Sequence, residues 1–324
     1  MKKVLNVLFI FAALVSACGT APKPKVALML ARGGLGDKAF NDSANEGLQK
    51  AAQDLGVEVA TFDYAEETVE SNVRQAAQDG YSLIIGIGSE NSNAITAVAK
   101  EFPKTKFAIV DSTAEGENVT SVTFSELEGD FLAGAISALM SENGKVGYLG
   151  GADVLVIRRI QFGFELGVKY VNPDAEIVVE YITGTDDFSG FAKPDDANTI
   201  ATQMYADGVD VIYAAAGGST LGAIDAAKMA GKPIITTGSD QRYLAPEVVA
   251  TSRTKNMNAA VFMLIKKLTE DDLPGGTIQL DYTSGGIGLA PLADFVPASV
   301  SEAFSIIRAD LEAGAIPMEP FTGN

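Results

Sequence analysis

The sequence predicts two similar α/β lobes with parallel sheets, and three observations predict it. From Lys25 onward, short apolar runs alternate with segments whose apolar residues recur every three or four positions, the period of a helix face. The short runs are apolar nearly throughout, the pattern of strands covered by helices on both faces. The series then begins again at Gly144-Lys145, so the chain holds two such units, with the boundary expected near residue 138.

Taken in order, Val26 to Leu30 reads as a buried strand and Gly33-Gly34-Leu35-Gly36 as a turn. Ala44, Gly47, Leu48, Ala51, Ala52 and Leu55 mark one face of a helix. Val57 to Phe62 is the next strand, Val69, Val73, Ala76 and Ala77 the next helix, and Leu83 to Ile85 a third strand. A helix at Ile95 to Phe102 precedes a strand at Phe107 to Val110. Helical spacing returns at Phe131, Leu132, Ala135, Ile136 and Leu139. In the second series, strands at Val146 to Leu149, Ile177 to Ile182, Val209 to Ala215 and Ile234 to Thr237 alternate with helices. Those helices are expected at Ile157 to Val171, Asn198 to Ala206 and Leu221 to Met229. The end departs from this rhythm, with a helix at about Asn256 to Thr269 and a strand at Thr277 to Tyr282.

The first residues carry an address rather than a fold. Met1-Lys2-Lys3, an apolar stretch from Val4 to Val15 interrupted by Asn6, and the small residues Ser16-Ala17 form the layout of a secretory signal. The stretch is shorter than the roughly 20 residues that span a bilayer. Cys18, the single cysteine, ends it, and the following residues to Pro24 have the composition of a flexible tether.

Composition excludes several classes of function. A net charge of −18 argues against nucleic acid as a partner. With no histidine and one cysteine, zinc sites built on those residues and a Ser-His-Asp triad are impossible. No P-loop or EF-hand spacing is present. Asp186-Asp187, Asp195-Asp196 and Asp271-Asp272 read as solvated surface acids. Gly34-Leu35-Gly36-Asp37-Lys38-Ala39 does fit a dinucleotide-binding G-x-G-x-x-A after a strand. However, Asp63 lies farther on than the roughly 20 residues such a fold uses for its ribose carboxylate. The expectation is no cofactor and no catalysis.

What remains is a set of residues where strands end, the edge at which open parallel sheets bind ligands. Phe40 and Asn41 follow the first strand, Ser89 the third, Asp111 the fourth, Gly217 and Gly218 the strand at Val209 to Ala215, and Asp240 that at Ile234 to Thr237.

At these residues the sequence resembles the basic membrane protein family of bacterial lipoproteins, nucleoside-binding subunits of ABC importers. The resemblance runs through nearly the whole chain in order. It covers Gly33 to Asn41, Phe102 to Asp111, Ser121 to Phe124, Gly144 to Gly147, Phe162 to Gly167, Ala215 to Gly218, Gly238 to Gln241, Thr251 to Asn256 and Gly285 to Pro291. It implies a type I periplasmic-binding-protein fold, two lobes on a hinge, with the late segments crossing between them. Residues 25–137 with 255–276 are then expected in one lobe, and 138–254 with 277–324 in the other, after a signal at 1–17 and a tether at 18–24. It further implies that Phe40 stacks on a base, that Asp240 and Lys255 bind ribose hydroxyls, and that Asp111 faces the ligand. The second stacking aromatic is open among Tyr213, Phe188 and Phe191. Leu14 to Cys18 resembles a lipobox, which implies lipidation of Cys18 and an extracytoplasmic, membrane-tethered monomer serving an ABC permease and ATPase. The family has an acidic residue before the double glycine, where this chain has Ala31 followed by Arg32. That change leaves open a sugar or another small polar metabolite as the ligand.

Overall fold

The computed structural model describes residues 23–185 and 187–323. The expected signal, the tether up to Pro22 and Cys18 lie outside the described residues. The first apolar run forms β1 (Lys25–Met29), and the glycine turn leads into α1 (Phe40–Leu55). β2 (Glu58–Phe62), α2 (Val69–Gln78), β3 (Leu83–Ile87), α3 (Ser92–Glu101), β4 (Lys106–Val110) and β5 (Val119–Phe124) follow. The second series comprises α4 (Leu127–Met140), β6 (Lys145–Ala152), α5 (Leu155–Val171), β7 (Glu176–Thr183) and α6 (Pro194–Ala206). It continues through β8 (Val211–Ala215), α7 (Thr220–Ala230), β9 (Ile234–Gly238) and β10 (Val249–Lys255). The chain closes with α8 (Met257–Thr269), β11 (Gly276–Leu280), β12 (Ile287–Leu289) and α9 (Ala298–Glu312).

Two sheets result, ordered β11-β5-β4-β3-β1-β2 and β12-β10-β9-β8-β6-β7. Every pairing is parallel except that of β12 with β10. The inner strands of each sheet are buried on both faces, which is why β1, β3, β4 and β8 are almost wholly apolar. In the first, Val26 and Leu28 pack toward Leu48 of α1 and Leu264 of α8, whereas Ala27 and Met29 pack toward Val73 and Ile95 of α2 and α3. In the second, Tyr148 and Tyr213 face Phe131 and Phe164 of α4 and α5, whereas Leu149 and Ile212 face Ala201 and Ile224 of α6 and α7.

The division between lobes differs from the expected one in two places. Helix α4 was expected in the first lobe, yet Phe131, Leu132 and Ile136 share a core with Val146 and Tyr148 of the second. The first crossing therefore falls at Ser125–Glu126, not near residue 138. Residues 277–280 were expected in the second lobe, yet β11 adds to the first sheet as an edge strand on β5, pairing Ile278 with Val122. The chain crosses between lobes after β5, after β10 and after β11. Among the described residues, no helix is long and apolar enough to cross a membrane.

Candidate ligand-binding site between the lobes

Because each sheet is parallel, the carboxyl ends of its strands share one edge, and these two edges meet. Ser239 Oγ at the end of β9 donates to the Lys38 carbonyl at 2.6 Å. Gly238 lies against Ala39; a Cβ added there would stand 3.2 Å from the Ala39 Cβ. Lys255 Nζ at the end of β10 reaches both carboxylate oxygens of Asp111 at the end of β4, each at 2.8 Å.

The loop from Ala31 to Ala39 explains the Asp-Lys-Ala-Phe-Asn stretch locally. Asp37 accepts from the backbone N–H groups of Ala39, Asn41 and Asp42 at 2.9, 2.8 and 3.2 Å, satisfying donors that the first turn of α1 leaves open. Asp42 in turn accepts from Gly36 and Lys38. Asn41 is buried, its Oδ1 accepting from Ala31 N–H at 2.8 Å and its Nδ2 donating to Asp37. Asn41 therefore ties α1 to the end of β1. Phe40, the preceding residue, is half-buried against the first core.

A chain of charges runs inward from this edge. Lys255 Nζ also lies 2.5 Å from Glu126 Oε1, on the first crossing, and 5.4 Å from the centre of the Phe124 ring. Glu126 Oε2 faces Arg159 Nε at 3.6 Å. Deeper still, Arg253 Nε donates to Asp130 Oδ1 at 2.7 Å, and Tyr213 Oη donates to the same oxygen at 2.6 Å. Burial works to depress the Lys255 ammonium, but Asp111 and Glu126 outweigh it and hold its pKa above the ordinary value. Burial raises the Asp111 pKa despite Lys255. At Glu126 burial is outweighed by Lys255, Arg253 and Arg159, which bring its pKa below the usual range. Burial pushes Asp130 up to about 6, against the pull of Arg253. Asp111 adopts φ 65°, a left-handed conformation that aspartate tolerates better than most residues.

The other expected site residues distribute as follows. Ser89 is exposed at the start of a short turn after β3. Asp240 is 42% exposed in its side chain and held by Arg242, whose Nε and Nη2 donate at 2.9 and 2.7 Å. Gly217 and Gly218 lie beneath Phe191, and a Cβ on Gly217 would stand 3.3 Å from its ring. Arg32 stacks on Tyr64 at 5.1 Å and pairs with Glu66 at 3.5 Å. Tyr213 is corrected: it is fully buried, stacked on Phe164 at 5.3 Å and bonded to Asp130, so its ring is core and cannot meet a ligand. Phe188 is exposed, and Phe191 lies over the ends of β6 and β8 at Gly151 and Gly217.

Glu126, Asp130 and Arg253 were not among the expected residues. Their signal was present: an arginine in the otherwise uncharged run Val249 to Thr254, and acids at the start of the apolar helix from Leu127. Charges in such places are buried only when paired. Two depressions lie away from this cluster. One of about 580 Å³ is lined by Gly33, Gly34, Leu35, Asp63 and Tyr64, and one of about 310 Å³ by residues including Asp153, Arg158, Tyr181 and Phe321. No group of three or more acids or thiols suited to a metal ion is found among the described residues.

Residues 24–309 match the family model described as ABC transporter substrate-binding protein PnrA-like. The chain is 34% identical to the CD4+ T-cell-stimulating antigen of Listeria monocytogenes, covering 91% of each. It is 32% identical to the ABC transporter nucleoside-binding protein BmpA of Lactococcus lactis subsp. cremoris, covering 93% of this chain and 91% of that one. Among solved structures, a solute-binding protein of an ABC transporter system from Aeropyrum pernix K1 superposes with a TM-score of 0.81. That protein is 26% identical, and the match covers 92% of this chain and 94% of the other.

Proposed function

The chain belongs to the Bmp family of PnrA-like ABC transporter substrate-binding proteins, and on that premise we propose that it captures a nucleoside between its two lobes. The observation that carries this reading is the meeting of both strand-end edges at Asp111 and Lys255, which come from different sheets. A carboxylate and an ammonium so placed can exchange part of their mutual pairing for the vicinal hydroxyls of a pentose, the carboxylate accepting and the ammonium donating. Asp240, beside Gly238 and Ser239 on the facing edge, supplies a second carboxylate for the sugar. Phe40 is the aromatic of the first lobe and Phe191 that of the second, each stacking on the base with about 1–3 kcal/mol. Lobe closure about the three crossings presents the loaded protein to a permease. Lipidation at Cys18 holds the protein at the extracytoplasmic face of the membrane.

The test is calorimetry with ribonucleosides and the corresponding free bases. Asp240→Ala is expected to weaken ribonucleoside binding by at least about tenfold, the worth of a lost charged hydrogen bond, with little change for free bases. Equal losses for both would remove Asp240 from the sugar site. Wild-type protein that binds sugars and no nucleoside would replace the ligand class.

A further inference from the structure

We propose that Glu90 reads the edge of the bound base, and that the base it selects presents N–H donors there. This rests on the nucleoside reading above. Glu90 lies in the one-turn 3-10 helix Ser89–Asn91 that follows β3, on the edge of the first sheet that meets the second lobe. The turn is held rigidly. Asn91 Nδ2 donates to the carbonyls of Leu30 at 3.2 Å and Ile87 at 2.7 Å, tying it to the ends of β1 and β3.

The Glu90 carboxylate is half committed. Oε1 accepts from the Arg32 backbone N–H at 2.9 Å. Oε2 has no hydrogen-bond partner among the described residues. Two small residues make the space for it. Gly88 adopts φ 79°, a backbone conformation that favours glycine, and a Cβ added there would stand 2.6 Å from Oε2 and 3.5 Å from the Ala31 Cβ. Ala31 N–H in turn is bonded to Asn41 Oδ1, next in sequence to Phe40, so the backbone that Glu90 holds at Arg32 is joined to the start of α1, where the base is stacked in the function proposed above. A carboxylate oxygen only accepts: it favours an N–H on the base edge and repels a ring nitrogen or carbonyl in that place.

The competing role is that Glu90 merely ties down the Arg32 loop. Glu90→Gln separates the two, because an amide keeps an oxygen acceptor for the Arg32 N–H and turns the other position into a donor. The probes are inosine and guanosine, whose pyrimidine edge carries N–H, and purine riboside, whose edge carries none. Wild type is expected to bind inosine and guanosine at least about tenfold tighter than purine riboside, with Glu90→Gln erasing that preference while holding purine riboside within about threefold. An unchanged ratio in the variant, or an equal loss for all three probes, leaves Glu90 as a loop tie and overturns the proposal. Wild type that binds none of the three removes the nucleoside reading itself, and this proposal with it.

Discussion

At the scale of single residues, the hinge region is governed by ion pairs buried away from water. Arg253 is 2% exposed and its partner Asp130 fully buried, a pairing that holds only because each satisfies the other and Tyr213 shares the load. Asp130 keeps its proton to about pH 6 in the folded chain, chiefly through burial, while an unfolded aspartate releases it near 3.9. Between those values the folded state binds a proton that the unfolded state lacks. Stability from this group is therefore complete below about pH 4 and is lost as pH rises through about 6, a change of about 3 kcal/mol. The groups facing Asp130 are Arg253, Tyr213 and Glu126. Asp130→Asn cannot titrate, so its urea-unfolding free energy is expected to show a flatter decline between pH 4 and pH 6 than wild type. Parallel curves would refute the assignment. Legibility at this scale was uneven. Asp111 stood out because it ends a strand, and Lys255 only through the resemblance to the family. Their partner Glu126 did not, because pairing across 129 residues leaves no local periodicity.

At the scale of elements, α4 and α5 meet backbone to backbone through glycines on both helices. A Cβ on Gly134 would overlap the Phe164 carbonyl oxygen, and one on Gly167 would overlap that of Phe131. Backbone faces backbone here, with no flexible side chain to yield, so one added methyl forces the helices apart. Gly167→Ala is expected to destabilise by about 1–3 kcal/mol or more, read as a lowered denaturant midpoint with an unchanged slope. An unchanged midpoint would mean that the helices slide freely. Most strands and helices were legible in the sequence because their periods are local, whereas β5, β10, β12 and α9 were not expected. The lobe to which α4 belongs was not, because Phe131, Leu132, Ala133, Ala135 and Ile136 are all buried and no single polar face gives the helix a direction. The sheet joined by β11 was equally hidden. Its pairing with β5 is a contact between Ile278 and Val122, and nothing near either residue announces it.

At the scale of the molecule, the chain carries a large excess of negative charge, 42 acidic against 24 basic residues, and all of the acids follow the expected signal. Like charge spread over both lobes opposes bringing them together. Most ion pairs, such as Arg74 with Glu101 and Arg158 with Asp153, lie within a lobe and do nothing to offset this. Among the described residues, the direct ionic link between the sheets is Lys255 with Asp111. Closure on an uncharged ligand therefore works against a repulsion that dissolved salt screens, the screening length shrinking from about 30 Å at 0.01 M to about 10 Å at 0.1 M. A buried pair such as Lys255 with Asp111 is screened far less than the exposed acids around it. The balance predicts that affinity for a neutral nucleoside holds or tightens as sodium chloride rises over that range. A ligand recognised through its own charge behaves oppositely, because salt weakens the attraction that brings it in. Calorimetric titrations at 0.01 and 0.1 M salt distinguish the two. A severalfold loss of affinity at the higher salt would point to a charged ligand and away from a neutral nucleoside.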